Sequence, residues 1–221
     1  MALRFTLSPE RCARFYDALT CLSKFSEFVS LEARYGQLSL AALNLSKSAY
    51  ASFTFEKEEF FLLYEYDALT RAGDRFSCSI LNKALASIFR GRLGDSRTGE
   101  GAIERCETVF EDGADGEECR LVVKLIYRQG VTKTFRLTYE AAEMMQAVFD
   151  KSRATNNWRA SGRMLKEFAE HFGPKTEQLD ITSKEDQATL TSYTEKVTNG
   201  KGMYTARFVL VAICNAAQFL I

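Results

Sequence analysis

The stretch Leu38–Phe55, "LSLAALNLSKSAYASFTF", decides how the rest of the chain reads. Apolar residues alternate with small or polar ones on both sides of a polar break, "NLSKS". Leu38 and Leu40 fall on one face, and Ala49, Ala51, Phe53 and Phe55 on one face after the break. A period of two bounded by turn residues is the pattern of a half-buried β-hairpin. No side chain suited to catalysis stands in it, so its role is sought in scaffold and surface.

Working outward, the hairpin belongs to a unit that recurs. "LRFTLS" alternates as a strand, and Pro9 opens a helix with Phe15, Leu19 and Leu22 at helical spacing. Strands on either side of the Tyr35-Gly36-Gln37 turn follow, and "SAYASFTF" closes a meander. The order returns with strand "RFSCSI" and helix "LNKALASIFRGRL", which places Leu81, Leu85, Ile88 and Phe89 on one face. Strands "AIERCETVFE", "CRLVVKLIYR" and "TKTFRLTY" come next, the last two joined at Gln129-Gly130. A third beginning follows: "WRASGR", helix "MLKEFAEHFG" ended by Gly173-Pro174, and a hairpin of "EQLDITS" with "QATLTSYTEKV". Two full copies and part of a third predict an α+β chain of stacked modules, each a half-covered sheet with a helix on it. The expected divisions are a first domain at 1–139, a connector at 140–157, a partial second domain at 158–199 and an apolar tail at 200–221.

Composition narrows the function classes. Lys plus Arg and Asp plus Glu both number 29, so any nucleic-acid contact must come from local placement of cations. Hydrophobic residues at 46% provide for a sizeable core in 221 residues. None of the six Cys forms a C-x-x-C pair and His171 is the sole His, which leaves no finger-type zinc ligand set; buried reduced thiols are expected. Charges in "MALRFTLSPERCARF" stand where a signal peptide needs an apolar run, and Asn44-Leu45-Ser46 reads as a turn.

Several blocks together resemble the Rad-nine subunit of the DNA-damage checkpoint clamp, a heterotrimeric ring related to proliferating cell nuclear antigen. They are "LSLAALNLSKSAYASFTF", "CSILNKALASIFRG", "RLVVKLIYRQGVTKTFRLTYE" and "MQAVFD", in order within about Leu3 to Val197. The resemblance implies a sliding-clamp fold whose inner helices face DNA and whose edge strands join subunits. It further implies a nuclear, non-catalytic subunit that needs no cofactor or metal and serves repair enzymes and a kinase as a platform. Its partners would be two other clamp subunits, a clamp loader and double-stranded DNA, with no membrane or small-molecule substrate. The third unit is followed by "GMYTARFVLVAICNAAQFLI", expected to match none of the family's strands, and a fourth unit of about sixty residues is missing by repeat arithmetic. That reading leaves the second domain incomplete and one subunit edge lost, so that a ring does not close.

Candidate residues follow from helix spacing. Arg11 and Arg14 lie one turn apart on the first helix, Lys83 and Arg90 two turns apart on the second, and Arg163 and Lys166 one turn apart on the third. Such pairs reach phosphates without reading bases, and they equally suit a solvated helix face. Lys133, Phe135, Leu137 and Tyr139 are the candidate subunit edge, and Met145, Val148 and Phe149 the candidate client groove in the connector. The acidic loop Glu111–Glu118 lacks EF-hand spacing, "EKEEF" is expected to end a strand, and "GRLGDSRTGEG" lacks the phosphate-loop ending. A metal-dependent 3′–5′ exonuclease and a replicative homotrimeric clamp are the alternative functions.

Overall fold

In the computed structural model the described residues are 3–47, 49–66, 75–90, 103–111, 119–143, 161–172, 176–184, 187–194, 197–199, 202–204 and 207–213. The chain divides into two units, Met1–Ala147 and Val148–Ile221.

The first unit opens with strand β1 (Leu3–Leu7) and helix α1 (Pro9–Leu22). Ser8 caps α1, its hydroxyl accepting from the Arg11 N–H at 3.4 Å, and Pro9 fills the first turn where its missing N–H costs nothing. Cys12, Phe15, Leu19 and Leu22 form its buried face. Strands β2 (Phe28–Arg34), β3 (Gln37–Leu43) and β4 (Tyr50–Glu56) then make the meander. Ala51, Phe53 and Phe55 share its core face, Phe55 buried and the other two half-buried, while Ala49 precedes β4. The break between β3 and β4 is held by the Asn44 side chain, whose Oδ1 accepts from the Ala49 N–H at 3.0 Å. Lys47 takes the left-handed conformation there, with φ at 55°.

Two elements absent from the sequence reading follow. "KEEF" is helix α2 (Lys57–Phe60) rather than a strand end, and β5 (Leu63–Tyr66) returns the chain to β1. The second copy supplies β6 (Phe76–Leu81), α3 (Asn82–Phe89), β7 (Ile103–Glu111), β8 (Arg120–Tyr127), β9 (Thr132–Thr138) and the short β10 (Glu140–Ala141). Gly130, at φ 79°, makes the β8–β9 turn.

The expectation that each module forms its own sheet is overturned. One sheet runs β5-β1-β7-β8-β9 and the other β10-β6-β2-β3-β4. Each copy lends its first strand to the meander of the other: β1 pairs antiparallel with β7, and β6 with β2. The physical reason is burial. One repeat cannot cover its own apolar face, whereas exchange lets the two faces cover each other. A second correction concerns Leu81, which is 44% exposed, in register with the half-exposed Phe28. The fully buried Asn82 stands in the face that Leu81 was expected to join.

Two aromatic groups bridge the sheets. Phe15 on α1 meets Phe5 of β1, Phe55 of β4 and Phe89 of α3 at centroid distances of 6.2, 5.6 and 5.8 Å. Phe76 of β6, Phe110 of β7 and Tyr139 beyond β9 form a second group, all within 5.8 Å of one another. Tyr64 of β5 ties the first sheet to the β2–β3 turn. Its hydroxyl stands 2.8 Å from the carbonyls of both Arg34 and Gln37 and donates its one proton between them.

In the second unit, helix α4 (Gly162–Glu170) precedes β11 (Thr176–Lys184), β12 (Gln187–Thr194), β13 (Val197–Asn199), β14 (Gly202–Tyr204) and β15 (Arg207–Ile213). The tail departs from expectation: β15 pairs with β12 along its whole length, completing a three-stranded sheet β11-β12-β15. The apolar run "RFVLVAI" supplies β-branched residues suited to a pleated surface.

Replacing Phe15 by Ala is expected to cost about 3–5 kcal/mol, and Phe53 by Ala less, about 1–2 kcal/mol, because Phe53 is half-buried. Urea unfolding of both variants checks the order. Tyr64 gives a pH signature. Burial, then the neighbouring Tyr66, push its ionisation above the ordinary value of 10.0, against a smaller lowering effect of the bond to Arg34. A raised folded-state value means stability fully present below about pH 10 and lost as pH rises further. Tyr64→Phe should therefore be less stable than wild type at neutral pH, by about 1 kcal/mol, and the gap should close on titration past pH 10.

Candidate nucleic-acid face and subunit edge

The exchange of strands brings α1 and α3 side by side, one from each repeat copy. Asn82 fixes their meeting. Its N–H donates to the Glu27 carbonyl at 2.8 Å, and its Nδ2 donates to the Leu19 carbonyl near the end of α1 at 3.1 Å. A groove of about 590 Å³ runs beside this contact. Tyr16 and Thr20 of α1 with its C-cap Ser23, Lys83 and Ser87 of α3 with its C-cap Arg90, and Glu27 are among the residues lining it. Lys83 and Arg90 are exposed. Cations with hydroxyls around them can contact phosphate oxygens without reading sequence.

The six cations read from the sequence do not form one cluster. Lys83 and Arg90 share the groove. Arg14 is exposed on α1 and does not line it. Arg11 is half-buried, and its guanidinium lies over the Phe60 ring, 5.5 Å from the centroid. The i,i+3 spacing that suggested a shared face with Arg14 gave no hint of α2, which captures Arg11. On α4, in the second unit, Arg163 pairs with Glu167 at 3.0 Å and Lys166 with Glu170 at 3.8 Å. Those are exposed i,i+4 pairs of the solvated-face type. His171 follows, and its Nδ1–H donates to the Glu167 carbonyl at 2.6 Å.

Among the described residues β9 is one of the two outermost strands of its sheet. Lys133 is exposed, its ammonium 5.2 Å from the Tyr127 ring centroid, and Phe135 and Leu137 are half-buried. Tyr139 departs from this set. It lies beyond β9, is 5% exposed, and its hydroxyl donates to the Glu111 carbonyl at 3.2 Å. It is a core residue in ring contact with Phe76 and Phe110, on the face that Phe135 and Leu137 also turn to the core. Met145, Val148 and Phe149 lie outside the described residues, as do 112–118 of the acidic loop.

Among the described residues no three of His, Cys, Asp and Glu converge on one point. Cys12 of α1 and Cys106 of β7 are both fully buried. The side-chain hydrogen bond with Cys106, then burial, push the Cys12 thiol far above its ordinary value, so it is held as a thiol rather than a nucleophilic thiolate. No helix among the described residues is long and apolar enough to cross a membrane.

The family profile described as Rad9 matches residues 15–210. The chain belongs to the Rad9 family. The match reaches into the segment after residue 199 that was expected to stand apart from the family. Two curated relatives are named "DNA repair protein rad9". The one from Schizosaccharomyces octosporus is 34% identical over 201 residues, covering 81% of this chain and 46% of its own length. The one from Schizosaccharomyces pombe is 29% identical over 218 residues, covering 90% and 51%. The chain thus spans about half the length of the curated relatives it matches. Among solved structures, PCNA from Thermococcus kodakaraensis superposes with a TM-score of 0.64 at 13% identity, over 99% of this chain and 76% of that one. A PCNA2–PCNA3 complex from Sulfolobus tokodaii gives 0.53 at 9% identity, over 92% and 72%. At such identities the likeness concerns the fold, which is that of the sliding clamps.

Asn82 was not singled out by sequence reasoning. A lone Asn at a strand–helix junction carries no distinguishing spacing; only the contact with Leu19, 63 residues away, gives it weight. Asn82→Ala should cost about 1–2 kcal/mol by loss of that bond. Asn82→Asp should cost more at neutral pH, because a carboxylate would be buried facing a carbonyl. Denaturant titration of both variants checks the ranking.

Proposed function

We propose that this chain is a non-catalytic subunit of a ring-shaped clamp that encircles double-stranded DNA in checkpoint signalling and repair. The observation that carries the reading is the reciprocal two-copy domain of a Rad9-family chain, which sets α1 and α3 together on one side and leaves β9 as an outermost strand. A clamp needs both: a helical face toward DNA and an edge that accepts a neighbour.

The mechanism is topological. Encirclement holds DNA without tight contacts, so a chain of zero formal charge suffices and the ring can slide. Lys83 and Arg90 in the groove, and Arg14 exposed on α1, give weak, sequence-blind phosphate contacts. Lys133, Phe135 and Leu137 form the subunit edge. The partners are two other checkpoint clamp subunits and a clamp loader, the site of action is the nucleus, and no cofactor enters. The apolar spacing of Met145, Val148 and Phe149 supports a client-peptide groove at the connector.

Co-expression with the two other checkpoint clamp subunits tests this. A complex containing the chain, with DNA affinity that falls steeply with salt and ignores sequence, is expected. Lys83→Glu together with Arg90→Glu should weaken binding equally for all sequences and reduce the log–log salt slope by about 2. Failure to associate with either subunit, or a strong preference for one DNA sequence, would overturn the reading.

A further inference from the structure

The last two strands of the first sheet carry charges that neither the core nor the helical face uses. β9 reads Thr-Lys-Thr-Phe-Arg-Leu-Thr, two cations and no acid. It bonds to β8 on one side, and among the described residues no strand lies on its other side. Phe135 and Leu137 pack against the core, so Thr132, Thr134, Arg136 and Thr138 face away from it. On that same outer face of β8, Val122 opposes Arg136, while Arg120 and Lys124 stand diagonal to it, opposite Thr138 and Thr134. The acids are one strand further in. Glu111 opposes Arg120 and Glu107 opposes Lys124, and Glu107 is engaged by the Arg105 Nε at 3.0 Å. Among the described residues no carboxylate pairs with Arg136.

Consider a second copy of the chain adding antiparallel to β9. Paired residues must share a face, so only alternate registers keep the apolar side chains together. The register centred on Arg136 sets Phe135 against Leu137 twice and Thr134 against Thr138 twice, joining apolar to apolar and hydroxyl to hydroxyl. At its centre Arg136 meets its own copy, with Arg120 and Lys124 of both chains close by. Like charges directly opposite one another destabilise a strand pair, and an opposite charge there stabilises it.

We propose that Arg136 sets the specificity of the β9 edge: it rejects a second copy of the chain and selects a partner strand that places a carboxylate opposite it, with apolar residues opposite Phe135 and Leu137. The proposal rests on the reading of β9 as a subunit edge.

The test needs neither DNA nor another clamp subunit, so its failure and a failure of ring assembly are separate results. Wild type, Arg136→Glu and Lys124→Glu chains, their folds verified by circular dichroism, are compared alone and in equimolar mixture by sedimentation and native mass spectrometry. Wild type and Arg136→Glu should each stay monomeric alone, and their mixture should form a 1:1 dimer at least about tenfold tighter than either self-association. The mixture of wild type with Lys124→Glu, which changes the same face one strand further from the partner, should gain clearly less. A wild-type/Arg136→Glu mixture no tighter than its components, an equal gain with Lys124→Glu, or self-association of wild type through β9 would overturn the proposal.

Discussion

Everything in the first unit depends on the antiparallel pairing of β1 with β7 and of β6 with β2. Each repeat copy presents a meander with one apolar face and a helix too small to cover it. Lending the first strand extends each three-stranded meander to four, β5 and β10 add a fifth to each sheet, and the apolar faces close over shared side chains. Phe15 illustrates the result, since it touches a ring from β1, from β4 and from α3. Removal of either copy would leave the other with an unpaired strand and an open core, so the two are one cooperative body rather than stacked modules.

The same pairing determines the surfaces. Because β1 and β6 are both taken inside, the strands left outermost are β9 and β5 on one sheet and β4 and β10 on the other. Because α1 and α3 each follow an exchanged strand, they arrive side by side, and the Asn82–Leu19 bond locks the end of one to the start of the other. The helical face and the strand edge are thus consequences of one topological fact. A substitution that loosens the exchange would disturb both at once, whereas Arg136 or Lys83 can change without touching it.

Much of this was legible in the sequence. Period-two alternation located nearly every strand of the first unit, and helical spacing located α1 and α3, because both report which face of an element is buried. Neither reports which strand lies beside which, so the exchange was invisible and each copy was assigned its own sheet. The short elements were missed for a related reason: "KEEF" and "LYEY" are four residues each, too few for a period to show. Leu81 misled because hydropathy counts it as core, whereas its place at the last residue of β6 turns it outward. The tail misled because it was compared with the family's strands, yet "RFVLVAI" is strand-forming by composition alone.

Charge was less legible than hydropathy, and for a physical reason. An apolar residue is placed by its own transfer free energy, so its neighbours matter little to its fate. A cation is placed by its partners, which the sequence rarely puts next to it. Arg11 and Lys83 look alike in a helical reading, yet one lies over a ring contributed by α2 and the other lines an open groove. Arg163 and Lys166 are the exception, since their partners lie four residues on in the same helix and the pairing can be read directly. Arg136 is the opposite extreme: its setting is made by Arg120 and Lys124 on the next strand and by the absence, among the described residues, of a strand on the other side, and no local window contains either fact. A formal charge of zero does not say which cations stand beside acids, and for the sheets that is read from the strand register.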